Sequence, residues 1–525
     1  MKRVLSMLLV LCLVVGSGSL AMAEETSSTW LCDEKTTLTV CTYDAVNNSF
    51  PTIGNDLRFW QWLEEYTNVH IEWEVHSNAD YDTVVSTKLS SGEIDTDIMN
   101  IKSVTTAIEA GKNGLLVNMQ PYLDECLPNL VQYDATENPT VLSGITADDG
   151  GIYCVTGKVS PDIGHIVYMY NTEWLEKLGK TVPTTLDEFY ELCVAMKEAG
   201  DLNGNGKADE IILTSSGLDG GLQILGNSFG LEQYEDWDAF VADENGKVHD
   251  EYTSDEMRNY LTYLNKLYEE GILDPSITKT SPDEMSQKIA SDSVGIFVYY
   301  SAFAVTYGRL TTKGQADQYA EVYSLGGPLL GPDGDQYYVY RDKVGGDATG
   351  VSSTSENIEL AIKWLDVLTS DPVVIKTRTC GWEGENYYID ENGEMQLIYP
   401  EDGSAWSISQ YGCGQIAMPH YQTYDQLMNS RKNIDWYMDQ YNAILAMDCF
   451  IHPSVPQVEA YTEEEYDLID LSRSDVNAYF KEMRAKFVTG EADIETEWDG
   501  YVDTMYALGL QDWIDAEQLI YDRTR

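Results

Sequence analysis

The feature that most constrains the fold is the alternation of short apolar segments with amphipathic ones near the start of the chain. Thr36–Thr42, Val69–Val75 and Asp97–Asn100 have the composition and spacing of strands. Asp56–Tyr66 and Tyr81–Ser90 lie between them and have the apolar spacing of helices. This strand–helix–strand–helix order predicts an α/β fold with a mostly parallel sheet and helices on both of its faces.

Ligands of such sheets bind at the loops beyond the carboxyl ends of the strands. That rule points to Asn47 and Asn48 after the first strand, and to Lys102 and Ser103 after the third. Each of these side chains is also what an ordinary solvent-exposed loop would contain. These residues therefore predict where a site lies, but not which of them contacts a ligand.

The amino terminus is typical of an exported protein. Lys2 and Arg3 precede the apolar run Val4–Val15, and Ala21-Met22-Ala23 has the small-residue spacing of a cleavage site. Residues 1–23 are therefore predicted to be a signal peptide, and the mature protein to be soluble and exported; a surface lipoprotein is the alternative. The rest of the 525-residue chain is longer than one hydrophobic core can serve, so two lobes are expected.

Charge limits the partners that the chain can have. It contains 88 acidic and 32 basic residues, which gives a formal net charge of −56. Such a surface repels nucleic acids and anionic lipids, and it disfavours a polyanionic ligand unless the site is locally basic. The cysteines are scattered and their pairing stays open. The six histidines show no metal-ligand spacing, which argues against zinc or iron chemistry.

A metal site of another kind is indicated by Asp201–Glu210, which reads Asp-Leu-Asn-Gly-Asn-Gly-Lys-Ala-Asp-Glu. Oxygen side chains recur at every second position and glycine stands at position 6, as in an EF-hand calcium loop. The match ends at position 12, which is Ile212, so Glu210 at position 10 would have to close the site. A polar turn between a helix and a strand is the alternative. We predict a structural Ca²⁺ site with no catalytic role.

Several segments that follow one another in a fixed order resemble a single protein family. They are Gly150–Tyr153, His165–Asn171, Trp174–Gly179, Val182–Phe189 and then the calcium-like loop. This order resembles the extracellular solute-binding proteins of bacterial ABC importers, in particular the oligosaccharide-binding branch that includes the alginate-binding proteins. Cys380–Tyr388 and Phe487–Arg523 are similar to later segments of that branch, so the resemblance spans most of the chain.

The resemblance implies a two-lobe, type II periplasmic-binding-protein-like fold with a hinge and a ligand cleft between the lobes. Both lobes would be discontinuous, with residues 36–160 and 337–385 in the N-terminal lobe and residues 161–336 and 386–525 in the C-terminal lobe. It also implies a calcium-ligand set, which consists of the side chains of Asp201, Asn203, Asn205, Asp209 and Glu210 and the carbonyl of Lys207.

The same resemblance places an aromatic ring over a sugar at the end of the strand Val294–Tyr300. Tyr299, Tyr300 and the adjacent Ser301 are therefore candidate ligand contacts. The C–H faces of sugars suit flat aromatic rings, which makes such a contact physically reasonable. Packing of these rings in the core is the alternative. Trp382 and Glu383 are further cleft candidates, as a stacking plane and a hydroxyl acceptor.

These observations predict an exported, monomeric binding protein without catalysis. It would capture a carbohydrate and present it to the transmembrane subunits of an ABC permease. The scarcity of basic residues favours a neutral oligosaccharide over an acidic one. An exported glycoside hydrolase is one alternative, although 88 acidic residues produce carboxylate pairs by chance. Binding of a peptide or another small solute is the other.

Overall fold

The fold is described from a computed structural model. The described residues are 29–44, 50–137, 141–156, 158–159, 166–232, 239–317, 319–339, 348–391, 393, 395–398, 407–413, 417–422, 428, 431, 434–455 and 462–524.

The strands, in chain order, are β1 (Thr36–Asp44), β2 (Val69–Ser77), β3 (Ile98–Lys102), β4 (Lys158–Val159), β5 (Ile166–Asn171), β6 (Ile211–Ser215), β7 (Phe240–Ala242), β8 (Val248–Asp250), β9 (Val294–Tyr300), β10 (Tyr323–Gly326), β11 (Tyr338–Val339), β12 (Ala348–Val351), β13 (Tyr387–Ile389), β14 (Met395–Leu397), β15 (His420–Tyr421) and β16 (Phe450–Ile451).

The α-helices are α1 (Arg58–Thr67), α2 (Tyr81–Ser91), α3 (Val104–Lys112), α4 (Leu123–Cys126), α5 (Pro128–Thr136), α6 (Val141–Ile145), α7 (Thr172–Leu178), α8 (Leu186–Ala199), α9 (Gln223–Gly226), α10 (Asp255–Glu269), α11 (Pro282–Ala290), α12 (Phe303–Gly308), α13 (Thr312–Ala316), α14 (Ile358–Ser370), α15 (Pro372–Cys380), α16 (Asp435–Leu445), α17 (Glu463–Thr489), α18 (Ile494–Ala507) and α19 (Leu510–Thr524).

The first sheet confirms the alternation that the sequence predicts. Its strand order is β12-β3-β1-β2, and β1 runs parallel to both β2 and β3. The fourth strand, β12, pairs with β3 in the antiparallel direction and returns from far along the chain. The fold is therefore α/β, and the carboxyl ends of β1 and β3 lie at the same edge of this sheet.

The helix α1 shows how local sequence produces these elements. Phe59, Trp60, Leu63 and Tyr66 are buried, and their spacing places them on one face of the helix. The helix ends because Asn68 adopts a left-handed conformation with φ of 60° and donates its N–H to the Glu64 carbonyl. The chain is thereby turned directly into β2.

The second sheet has the strand order β10-β5-β9-β6. The strand β9 is central, because it pairs with β6 in the parallel direction and with β5 in the antiparallel direction. All six residues of β5 are buried, which is why this strand reads as a continuous apolar run and not as an alternating one. The carboxyl end of β9 carries Tyr299 and Tyr300.

Two large hydrophobic cores correspond to the two expected lobes. One core contains buried residues from 38–155, 348–375 and 408–421. The other contains buried residues from 166–338 and 428–521. Both cores are built from discontinuous stretches of the chain. Buried residues of 408–421 pack into the first core, and the predicted lobe boundaries stay a prediction.

Three features of the chain concern its predicted export. The predicted signal peptide, residues 1–23, lies outside the described residues. Among the described helices, none combines the length and the apolar character needed to span a bilayer. The cysteine pairing left open by the sequence is answered, since the eight cysteines from Cys32 onward are free thiols and all but Cys32 are buried.

Candidate functional site

The calcium-like loop joins α8 to β6. Thr185 caps α8 by accepting a hydrogen bond from the N–H of Glu188 at 3.2 Å, as the sequence predicts. Gly200 ends the helix with a φ of 71°. Gly204 and Gly206 then have φ values of 76° and 86°, a left-handed conformation that glycine adopts without strain. The backbone is therefore turned tightly around the oxygen side chains.

Hydrogen bonds hold those oxygens on the inside of the turn. An Asp201 carboxylate oxygen accepts from the N–H of Gly206 at 2.9 Å. An oxygen of Glu210 accepts from the N–H of Leu202 at 2.7 Å, which ties the end of the loop to its beginning. The Asn205 amide donates to an Asp209 oxygen at 2.9 Å. The predicted ligands are thus gathered in one loop.

The donor set of this loop fits Ca²⁺ in type. Carboxylates, amide oxygens and a backbone carbonyl are the hard oxygen ligands that Ca²⁺ prefers. Asp201, Asn205, Lys207 and Asp209 are exposed, and Asn203 and Glu210 are half-buried, so an ion could reach the loop from solvent. These residues stay a predicted ligand set.

The carboxyl end of β9 carries an aromatic group. The Tyr299 ring lies 4.7 Å from Phe303 and 5.2 Å from Tyr300 between ring centroids, and it stacks on Tyr307 at 6.3 Å. Tyr299, Tyr300 and Phe303 are only half-buried and lie against the second core. Phe303 and Tyr307 were missed by the sequence analysis, although their spacing of four residues on α12 places them on one helix face.

Ser301 occupies a different environment. Its side chain is only 2% exposed, and its hydroxyl accepts a hydrogen bond from the Tyr437 hydroxyl at 2.9 Å. This contact fixes Tyr437 of α16 against the end of β9. The predicted role of Ser301 as a ligand contact stays a prediction, and its observed contact is with the protein.

A second aromatic group lies against the first core. The guanidinium carbon of Arg58 lies 3.9 Å from the centroid of the Trp382 ring, and the Tyr411 ring meets Trp382 edge-on at 5.5 Å. Arg58 also donates two hydrogen bonds to Glu385, at 2.6 and 2.8 Å. The guanidinium holds the pKa of Glu385 below its ordinary value. One face of Trp382 is therefore occupied, and only the other can stack on a ligand.

The remaining candidates lie apart from these contacts. Glu383 is exposed next to Trp382. Ser103 is exposed and caps α3, accepting a hydrogen bond from the N–H of Thr106 at 3.2 Å. Asn47 and Asn48 lie outside the described residues.

Lys102, immediately before Ser103, has an unusual backbone. Its φ is 64°, which is uncommon for a residue other than glycine, and its N–H donates to the side-chain oxygen of Asn100 at 2.8 Å. Asn100 is fully buried and also donates to the carbonyl of Ala417, whose φ is 71°. Such strain often occurs at functional sites, which agrees with the expected place of the site at this sheet edge.

The structure therefore gathers the candidates into separate groups. The calcium-like loop and the β9 aromatic group belong to the second core. The Trp382 group and the strained end of β3 belong to the first. The two aromatic groups therefore pack on different cores.

The chain is similar over most of its length to a curated transport protein. The fructooligosaccharide ABC transporter substrate-binding protein FusA of Streptococcus pneumoniae serotype 4 is 25% identical over 499 residues, which cover 90% of this chain and 88% of FusA. A structure of FusA in complex with kestose superposes with a TM-score of 0.74 at 23% identity, covering 93% of this chain and 99% of the other.

Two further structures share the fold. The FusA EF-hand mutant in complex with fructo-nystose has a TM-score of 0.73 at 23% identity, with 93% and 99% of the two chains covered. The alginate-binding protein AlgQ2, solved without calcium ion, has a TM-score of 0.72 at 20% identity and is covered over its whole length by 94% of this chain. The two-lobe solute-binding fold inferred from the sequence is confirmed by these likenesses.

The family itself is established by a match that extends over more than half of the chain. Residues 49–375 match the family described as bacterial extracellular solute-binding protein. The matched range includes β2, β3 and β12 of the first sheet, the calcium-like loop and the end of β9. The chain belongs to the bacterial extracellular solute-binding protein family.

Proposed function

We propose that this protein is exported, captures a carbohydrate between its two lobes and delivers it to the transmembrane subunits of an ABC permease. Family membership and the likeness to FusA, a fructooligosaccharide ABC transporter substrate-binding protein, support this proposal. Closure of two lobes over a solute selects a ligand-bound state that a permease can recognise. The protein acts as a monomer and binds no nucleic acid, in keeping with its strong negative charge.

The observation that carries the proposal is the half-buried aromatic group at the end of β9. Tyr299, Tyr300 and Phe303 support one another by ring contacts but retain accessible surface. A rigid cluster of rings at the carboxyl end of a central strand offers a preformed plane for a sugar ring. Trp382, which is half-buried against the first core, offers a second ring from the other lobe.

A neutral oligosaccharide is the ligand class that the charges favour. Two cationic side chains near the expected cleft are already paired, Arg58 with Glu385 and Lys102 with Asp82 at 2.9 Å. An acidic sugar would have to compete with these carboxylates inside a strongly negative protein. A neutral sugar requires no such exchange.

We also propose that the protein has no catalytic activity. One motif has the residue spacing of a hydrolase nucleophile and was therefore compared with that site. Gly226-Asn-Ser-Phe-Gly230 has the G-x-S-x-G spacing of a serine nucleophile elbow. However, Ser228 is 1% exposed, and its hydroxyl donates to the Leu329 carbonyl at 2.7 Å within a 3-10 turn. It does not follow a strand, as that motif requires. This geometry supports binding without hydrolysis.

We also propose that the loop Asp201–Glu210 binds Ca²⁺ as a structural clamp. One structure of AlgQ2 was solved without calcium ion, and one structure of FusA is that of an EF-hand mutant. Both facts support a calcium site in proteins of this fold. Bound ion would tie the carboxyl end of α8 to the start of β6 in the second core. It would supply charge balance to the loop carboxylates and take no part in sugar chemistry.

We propose lobe boundaries that follow the two hydrophobic cores. The first lobe comprises residues 36–160 and 337–421, and the second residues 161–336 and 422–525, which moves the last predicted boundary from residue 385 to residue 421. Three crossings between lobes suit a hinge, because several short connections restrict the motion to opening and closing.

The proposal is tested by removing one ring from the β9 group. Tyr299→Ala should weaken binding of the sugar by about 1–3 kcal/mol, by analogy with aromatic stacking measured on nucleic-acid bases. Isothermal titration calorimetry with a neutral oligosaccharide such as kestose measures the change. Tyr319, which is 50% exposed on the same lobe, provides the matched control Tyr319→Ala.

Equal affinity of Tyr299→Ala and the wild-type protein, with Tyr319→Ala also unchanged, would remove the β9 group from the site. A loss in both tyrosine variants would indicate a general effect on folding, which circular dichroism of each variant would reveal.

A further inference from the structure

Three side chains of different chemical type converge at the edge of the first sheet. The thiol of Cys41, a carboxylate oxygen of Glu74 and a ring nitrogen of His76 lie within 4.8 Å of one another. Nε2 of His76 is 2.9 Å from Oε1 of Glu74. Among the described residues, this is the one group of three histidine, cysteine or acidic ligand atoms that meets so closely.

Strand pairing creates the group. In the parallel pairing of β1 with β2, Cys41 is opposite Glu74 and Tyr43 is opposite His76. Residues two apart on a strand point to the same face, so Glu74 and His76 share a face with Cys41. The histidines lack metal-ligand spacing along the chain, which is why the sequence analysis argued against such a site.

We propose that Cys41, Glu74 and His76 bind a borderline divalent cation of the Zn²⁺ type through three protein ligands, with a fourth position left open to water. Thiolate, imidazole and carboxylate are the ligands that Zn²⁺ takes in proteins. The calcium-like loop offers only oxygen, so the two sites select different ions. The inference is independent of which solute the cleft holds.

The surroundings of the group hold the Cys41 sulfur in place. Cys41 is fully buried. The Tyr81 hydroxyl lies 2.7 Å from the Asn100 carbonyl oxygen, 3.1 Å from the Cys41 carbonyl oxygen and 3.7 Å from the Cys41 sulfur, and it thereby links β1 to β3. Metal binding forms the metal–sulfur bond and releases the thiol proton to solvent.

Lys88 provides the charge balance when no metal is bound. Its ammonium lies 3.0 Å from Oε2 of Glu74 and also pairs with Asp95. A bound cation takes over the neutralisation of Glu74, and Lys88 keeps its pair with Asp95. Glu74 and His76 are half-buried, so an ion can approach the buried sulfur from their side.

The test uses the purified full-length protein in excess Ca²⁺, with Co²⁺ as a spectroscopic probe and Zn²⁺ as the competitor. The wild-type protein should give a thiolate-to-cobalt charge-transfer absorption that Zn²⁺ abolishes. Cys41→Ser should lose this absorption, and His76→Ala should keep the thiol but weaken Zn²⁺ binding at least about tenfold. If Cys41→Ser fails to fold, the Zn²⁺ affinity of His76→Ala still tests the proposal.

Two control variants separate the site from other thiols and acids. Cys32→Ser removes the one half-buried thiol elsewhere, and Glu72→Gln removes an exposed carboxylate on the same strand. Both should bind Co²⁺ as the wild-type protein does. The proposal is overturned if the wild-type protein shows no thiolate absorption, if the absorption persists in Cys41→Ser, or if His76→Ala binds Zn²⁺ with unchanged affinity.

Discussion

Replacement of one buried carboxyl group should change how the stability of the second lobe depends on pH. Glu251 is 4% exposed, and one of its carboxyl oxygens accepts a hydrogen bond from the N–H of Glu232 at 2.6 Å. The other oxygen has no hydrogen-bond partner among the described residues. Burial, with further contributions from Glu232, Glu256 and Asp250, raises the pKa of Glu251 to about 8.

The sign of the effect follows from this raised pKa. The folded protein holds the proton more tightly than the unfolded chain, whose pKa is near 4.5. The stabilisation is therefore complete below about pH 4.5 and is lost as pH rises through about 8. Each pH unit within this window costs about 1.4 kcal/mol, so about 3 kcal/mol is lost between about pH 5.5 and 7.5.

Glu251→Gln reproduces the protonated acid in shape and keeps an oxygen for the Glu232 N–H. If the amide matches the protonated acid, its free energy of unfolding should exceed the wild-type value by about 1.4 kcal/mol near pH 5.5 and by about 4 kcal/mol near pH 7.5, a gap that widens by about 3 kcal/mol. Chemical denaturation at both pH values, compared at equal m-value, measures the difference. Glu244→Gln, an exposed residue in the β7–β8 turn, is the control and should not alter the pH dependence.

Parallel stability curves for Glu251→Gln and the wild-type protein, with or without a constant offset, would refute the reasoning, because they would show that the pKa of Glu251 is not raised in the folded state. A constant destabilisation would show in addition that the amide is not tolerated in place of the acid. The six histidines are common to all three proteins, so their own titration cancels in the comparison.

Three other predictions follow from the fold and the calcium-like loop. Asp201→Ala, or chelation of Ca²⁺, should lower the melting temperature more than it lowers sugar affinity, and an unchanged melting temperature in a thermal-shift assay would disprove the structural clamp. Thr185→Ala should reduce the free energy of unfolding by about 1 kcal/mol through loss of the α8 cap, as measured by chemical denaturation. Leu264→Ala, at a fully buried position of α10, should cost about 2–5 kcal/mol in the same assay, and a cost below about 1 kcal/mol would contradict its core placement.

The parts of the fold that the sequence predicts are those with a local cause. The helix α1 has its own apolar face, and α8 has a capping threonine followed by acids in its first turn. The strands β1 and β2 alternate with helices, which requires parallel pairing. Each signal lies within a few consecutive residues, so no tertiary information is needed to read it.

Contacts between residues that lie far apart in the chain could not be predicted from the sequence. The segment 408–421 joins the first core partly because the buried Arg378 donates hydrogen bonds to the carbonyls of Met418 and Pro419. Arg58 and Trp382 meet although they are far apart in the chain. No periodic pattern or residue spacing in the sequence predicts either contact. None predicts the approach of Cys41 to Glu74 either.

Calorimetric titration of the mature protein in the presence of Ca²⁺, followed by chromatography of the recovered sugar, tests the central claim most directly. The panel should contain neutral oligosaccharides such as kestose, acidic oligosaccharides such as those of alginate, and peptides. The account predicts binding of a neutral oligosaccharide that is recovered unchanged. Consumption of the sugar, or binding of peptides with no carbohydrate bound, would contradict it.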